Sequence, residues 1–345
     1  MGKRVLITGL ATFWGGRVAQ ALEADPEVDV IVGLDRYEPT VQLERTEYVR
    51  SDESYSILAR IVKAARIDTI VHSFLVVDST MMSSRSIHEI NTIGTMNLFA
   101  AASAPESPVR EVVVKSSTLV YGADPRDPVW FDEQSRRSKP PSSTVERTLL
   151  AVEGYVRDFA VDNPHVSVSV LRFSNVLGPD IHTPVSKLLA LPVVPAIFGF
   201  DPRFQFVHET DVIRAILFAL DTGLSGIYNV AGDGLLPWSE VAAICGKRLL
   251  PLPPYGTGLL ARPLSRLGVI DLPVELLDLL RHGRGADNRR LKAAGFEYRF
   301  TSAGAVADFA QSLRLRPVTG GKALYEYQSD VEQFFRHSPA VIRED

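Results

Sequence analysis

The chain has 345 residues, 46% hydrophobic and 23% charged, enough for a sizeable core in one large domain with a satellite, or in two modest ones. Its formal net charge of −4 leaves no electrostatic footprint for nucleic acid. The single cysteine, Cys245, excludes an intrachain disulfide and fits a reducing compartment, so a cytoplasmic location is expected. No uninterrupted run of ~18 apolar residues is present to span a membrane.

The first predicted element is a strand, "RVLITG". Basic residues before an apolar run could also open a signal peptide, but no small-residue cleavage site follows. Myristoylation is excluded because Leu6 stands where Ser or Thr is wanted. A helix, "GRVAQALEA", comes next, then strands "VDVIVGLD" and "EYVRSD", helix "SYSILARIVKAAR", strand "DTIVHSF", helix "IHEINTIGTMNLFAAAS" and strand "EVVVKSS". The helix from Thr144 has Ser143 as its cap and Glu146 three residues on, a capping-box pattern. Its apolar stripe is Val145, Leu149, Val152 and Val156. Strand "VSVSVLRFSNV" follows, and "GIYNVAG" is a further strand returning to the same sheet.

Strands alternating with helices imply βαβ units, and near-continuous Val/Ile runs imply strands buried on both faces. The expected fold class is α/β, a Rossmann-type doubly wound parallel sheet with a smaller substrate-side domain. The dinucleotide-binding domain is expected over 1–178 plus about 206–231. The substrate-side domain takes about 179–205 plus 232–316, and 317–345 form a peripheral tail. The proline-rich "LLALPVVPAIFGF" is expected to be irregular and to pack between domains; "WSEVAAICGKRLL" and "LPVELLDLLRHGR" read as amphipathic helices.

The turn after the first strand, "TGLATFWGG", carries the first chemistry. Gly9 and Gly15 are six residues apart at a strand-to-helix junction, where glycine permits a tight turn and close approach of a pyrophosphate to the helix N-terminus. Asp35 ends the second strand 20 residues after Gly15, placed to accept both ribose hydroxyls of an adenosine and to repel a 2′-phosphate. Thr12, Phe13 and Trp14 complete the turn, and Arg36 is the neighbouring group that could instead greet a 2′-phosphate. The expected cofactor is NAD. No metal site is expected.

These residues resemble the extended short-chain dehydrogenase/reductases of the NAD-dependent epimerase/dehydratase group over roughly Lys3 to Leu315. "TGLATFWG" is similar to that group's TGxxGxxG with Thr12 in place of the middle glycine. "VRSD", "IVHSF", "INTIGTMNLFAAA", "VVVKSSTLVYG", "LRFSNVLGP", "FVHETDV" and "GIYNVAG" follow in family order. The resemblance implies that Asp52, His72, Asn91 and Ser116 line the cofactor. It gives Ser117 as the residue hydrogen-bonding the substrate oxygen and Asn175 as a substrate contact. An arginine that holds a substrate phosphate is replaced by Phe204, with Arg203 adjacent. Its Tyr-x-x-x-Lys acid–base pair falls on Val145 and Leu149, and none of the ten tyrosines has a lysine four residues later. Ser117 is then the remaining catalytic candidate. Lys115 reads as a strand residue directed elsewhere, Glu146 as part of the capping box and Tyr121 as packing.

Two functions follow. One is an NAD-dependent enzyme acting at a hydroxyl-bearing carbon of a sugar nucleotide, or of a more apolar alcohol, with an altered proton relay. The other is a catalytically degenerate NAD-binding sensor or scaffold. The partner is a small-molecule substrate, and the resemblance implies a homodimer through the helices starting near Ile87 and Val145.

Overall fold

The structure is a computed structural model and describes residues 2–254 and 273–315. Alternation along the strands explains the architecture. In β1 (Lys3–Thr8), Val5 and Ile7 join one apolar cluster and Leu6 joins another, so both faces are buried. The strands β2 (Val28–Asp35), β3 (Thr46–Arg50), β4 (Thr69–His72), β5 (Glu111–Ser117), β6 (Ser167–Phe173) and β7 (Gly226–Val230) complete a parallel seven-stranded sheet. Its order is β3-β2-β1-β4-β5-β6-β7, with the reversal of direction falling between β1 and β4, where open α/β sheets place their ligands.

Helix α1 (Phe13–Glu23) lies on one face. Helix α2 (Tyr55–Ala64) lies on the other, followed there by α3 (Ser84–His88), a π-turn (Glu89–Gly94) and α4 (Thr95–Ala102), which form one continuous rod. Helix α5 (Thr144–Asp162) packs beside it. A third apolar cluster gathers α6 (Pro184–Ala190), α8 (Trp238–Ile244) and α9 (Val274–His282), while α7 (Glu209–Thr222) joins α1 against the sheet.

Two expectations change in the smaller region. The helix of "WSEVAAICGKRLL" stops at Ile244, because Gly246 takes a left-handed φ of 68° that reverses the chain. The residues after it form a strand, Arg248–Leu252, which pairs in parallel with Val193–Ile197 from the stretch expected to be irregular. Pro195 is tolerated there because this sheet has two strands and each is an edge. The expected tail over 317–345 lies outside the described residues. Among those described, no helix is long and apolar enough to cross a membrane.

Candidate active site

The turn between β1 and α1 is built around contacts that exclude side chains. Gly9 has φ 79°, and a Cβ there would meet the Phe74 backbone at 2.7 Å; a Cβ on Gly15 would meet Gly9 O at 2.2 Å. Thr12, standing for the usual middle glycine, closes the turn itself. Its hydroxyl donates to Gly9 O at 2.6 Å and accepts from Gly15 N at 3.1 Å, capping α1.

Asp35 ends β2 beside this turn. Its carboxylate accepts from Ala11 N at 2.9 Å and Tyr37 N at 3.1 Å, which fixes its orientation while leaving lone pairs on each oxygen. Arg36 is drawn to Glu53 at 3.5 Å. Glu53 is buried, and desolvation holds its carboxyl above the usual range. Asp52 is exposed on the loop after β3.

Three residues expected to line the cofactor hydrogen-bond to other parts of the protein, and one of them, Ser116, also lines the cleft next to the turn. His72 is fully buried: Nδ1 meets Thr8 Oγ1 at 3.1 Å, Nε2 meets Thr95 Oγ1 at 2.9 Å, and the ring stands edge-on to Phe74. Burial, with Lys115 nearby, lowers its pKa to about 3, so it is a neutral core histidine. Asn91, in the π-turn, accepts from Val76 N at 2.7 Å and donates to Val76 O at 2.9 Å and Thr148 Oγ1 at 3.0 Å. It pins the loop after β4. The Ser116 hydroxyl donates to Glu153 Oε1 at 2.6 Å, and Glu153 pairs with Arg172. Arg172 Nη1 donates to Tyr121 OH at 2.8 Å, which donates to Asn229 Oδ1 at 2.7 Å. Tyr121 therefore packs, as expected, but inside a closed polar network.

Next to the turn a cleft opens at the C-terminal ends of β5 and β6. Trp14, Ser117 and Asn175 line it, and so does Lys115, which corrects the expectation that Lys115 points elsewhere. Lys115 and Ser117 are two apart on β5 and share a face, opposite Ser116. The Lys115 ammonium lies 4.9 Å over the Trp14 ring and has no hydrogen bond or ion pair to any described residue. Burial lowers its pKa to about 8. Ser117 Oγ accepts from Leu119 N at 3.2 Å, and Asn175 donates to Gln205 O at 3.0 Å.

The missing pair on α5 has a structural explanation. Val145 and Leu149 are both 0% exposed, in the core shared by α3, α4 and α5, and neither lines the cleft. Helix α9 lies over the segment leading into α5: Lys139 Nζ and Ser142 Oγ reach Asp278 at 2.7 and 3.3 Å. Glu146 makes only half a capping box. Ser143 Oγ accepts from Glu146 N, but the Glu146 carboxylate turns to Ser142 N and Arg137 Nη2, at 2.6 and 3.0 Å.

Comparison with known proteins fits this frame. A model of the NAD dependent epimerase/dehydratase family matches residues 5–231. The chain belongs to that family. An uncharacterised protein of Mycobacterium tuberculosis (strain ATCC 25618 / H37Rv) is 33% identical over 322 residues, 92% of this chain and 85% of that protein. The dTDP-D-glucose 4,6-dehydratase of Homo sapiens is 27% identical over 248 residues, 66% of this chain and 69% of that one. Among solved structures, MoeE5 in complex with UDP-glucuronic acid and NAD superposes with a TM-score of 0.70 at 22% identity, covering 90% of this chain and 99% of that one. DesIV, a dTDP-glucose 4,6-dehydratase from Streptomyces venezuelae, gives 0.69 at 22% identity, covering 91% and 97%.

Phe204 does not line the cleft. It is core, between Phe206 and Trp238 with ring centroids at 6.0 and 4.5 Å. Arg203 is exposed on the adjacent position and does not line the cleft. Glu275 and Arg284, which do line it, were not expected. Glu275 sits beside Leu276 on the buried side of an amphipathic helix, where the pattern gives no hint of an acid turned inward. The direction of Lys115 was available from the sequence: two residues before Ser117 on a strand is the same face.

Proposed function

We propose that this protein binds NAD at the Gly9–Gly15 turn and performs redox chemistry at a hydroxyl-bearing carbon of a small molecule held in the adjoining cleft. The residues fit the dinucleotide. The turn has no room for side chains at Gly9 and Gly15, where backbone must approach a pyrophosphate. Asp35 is placed for ribose hydroxyls, and Arg36 is engaged by Glu53. When bound, the nicotinamide supplies the hydride acceptor or donor. The chain supplies Ser117 to orient the substrate oxygen and Asn175, past the end of the adjacent strand, as a second contact.

The observation that carries the enzyme reading is that polar groups of the cleft stand without hydrogen-bond partners: the buried Ser174 Oγ and Glu275 Oε2, and the Lys115 ammonium, whose one contact is the Trp14 ring. A cleft kept for packing alone gains nothing from such groups, because each costs stability. The second reading, a degenerate sensor or scaffold, is favoured by the sealing of Val145 and Leu149. Family relatives named for dTDP-glucose support a sugar nucleotide, whereas the apolar cleft walls and core Phe204 support a more apolar alcohol.

Titration with NADH, followed by NAD reduction with UDP-glucose, dTDP-glucose and a series of aliphatic secondary alcohols, tests this. NADH binding with turnover supports the enzyme. Binding without turnover on any of them favours the sensor, and no dinucleotide binding overturns both. A homodimer is proposed through the α3–α4 rod and α5, supported by the exposed Ile93 and Met96 on that rod; light scattering at micromolar concentration decides it.

A further inference from the structure

The cleft's unsatisfied groups specify a ligand, given the reading of this cleft as the substrate site. Lys115, 3% exposed, is a cation without a counter-ion. Its contact with the Trp14 ring at 4.9 Å offsets part of its desolvation and leaves its N–H donors unused. Arg284 also lines the cleft: its Nη1 donates to Gly122 O at 2.7 Å, and burial lowers its pKa to about 10, with Glu146 and Asp127 opposing that shift only in part. Ser174 Oγ, also buried, has no partner. Glu275 accepts from Ser79 N at 3.2 Å through Oε1, and burial raises its pKa against the lowering effect of the Ser79 and Ser143 hydroxyls; its buried Oε2 makes no hydrogen bond of normal geometry. Between these groups the walls are apolar, formed by Val77, Phe173, Val185, Leu276 and Leu279.

The Lys115 ammonium and the Ser174 hydroxyl match a single carboxylate. A carboxylate oxygen lacking a donor matches one ligand hydroxyl. We infer that the cleft takes an amphipathic hydroxy acid, with its carboxylate on Lys115 and Ser174, its hydroxyl donating to Glu275 Oε2, and its apolar body against Trp14, Phe173 and Leu276.

Calorimetry and tryptophan fluorescence with the full chain test this, using octanoate, 3-hydroxyoctanoate, octan-1-ol and UDP-glucuronic acid as probes. Octanoate is expected to bind at least tenfold more tightly than octan-1-ol, and 3-hydroxyoctanoate more tightly still. Lys115→Met removes the preference for octanoate over the alcohol, and Lys115→Arg retains it. Glu275→Leu removes the gain from the hydroxyl and leaves octanoate binding in place. Thermal melts of each variant separate misfolding from lost recognition, and Lys115→Arg carries the test if Lys115→Met does not fold.

Equal binding of octanoate and octan-1-ol overturns the inference, as does an unchanged preference in Lys115→Met. Tighter binding of UDP-glucuronic acid than of octanoate overturns the apolar-acid assignment. NADH titrated into the same samples is scored separately: its failure sinks the NAD reading alone, and the acid series sinks this inference alone.

Discussion

Lys115→Met should make the ligand-free protein more stable, the opposite of the usual effect of a core substitution. Burial lowers the Lys115 pKa from 10.5 to about 8, and each tenfold change in proton affinity is worth ~1.36 kcal/mol, so the buried ammonium costs about 3 kcal/mol. Methionine keeps most of the aliphatic stem and carries no charge. The sign follows from linkage. The folded pKa lies below the unfolded one, so between them the unfolded chain holds more protons and wild-type stability rises with pH. The cost is complete below pH 8 and fades as pH climbs from there towards 10.5. His72, the nearby titratable ring, is neutral throughout this range and does not alter the sign. Urea melts at pH 6.5, 7.5, 8.5 and 9.5 should show the variant about 3 kcal/mol more stable at the lower values, roughly 6 °C in Tm, with the gap closing at the highest. A variant no more stable than wild type at pH 7, or a gap that does not change with pH, would show that Lys115 carries no uncompensated charge.

Restoring the familiar pair with Val145→Tyr and Leu149→Lys should destabilise the fold by at least ~3 kcal/mol, since both sites are closed core; a double variant that melts like wild type and gains NAD reduction would refute the sealed geometry. His72 should show no imidazole titration by NMR between pH 5 and 8. Because its pKa falls from 6.5 to about 3 on folding, wild type should lose stability relative to His72→Gln as pH drops from 6.5 towards 3. NAD should bind at least tenfold more tightly than NADP, and Glu53→Gln, by releasing Arg36, should narrow that ratio; equal binding in wild type contradicts the role given to Asp35.

The strand–helix alternation made the sheet legible, because β1, β4 and β5 are short apolar runs that cannot be exposed on either face. Gly9, Gly15 and Asp35 were legible for the same local reason: their geometry depends on a single turn. What failed to show was whatever depends on distant partners. The hydrogen bonds of His72, Asn91 and Ser116 to Thr95, Val76 and Glu153 join residues well separated in the chain, which no local pattern announces. Val145 and Leu149 announced a missing function, but their burial rests on core shared with α3 and α4. Glu275 reaches the cleft only because α9 folds back over residues 79 and 139.

The alternation of β5 has a further consequence for how errors in this protein would behave. Ser116 faces Glu153, whereas Lys115 and Ser117 face the cleft. A slip of one residue that put Lys115 in the place of Val114 would carry the ammonium into the hydrocarbon packed under α5, and a slip either way would leave Glu153 without its serine. The penalty for misregistration is therefore concentrated in a central strand, held by paired residues on both sides from Glu111 onward. The same lysine that weakens the finished fold also makes its nearest misfolded neighbour far worse, so an unfavourable charge can sharpen the choice of a single register.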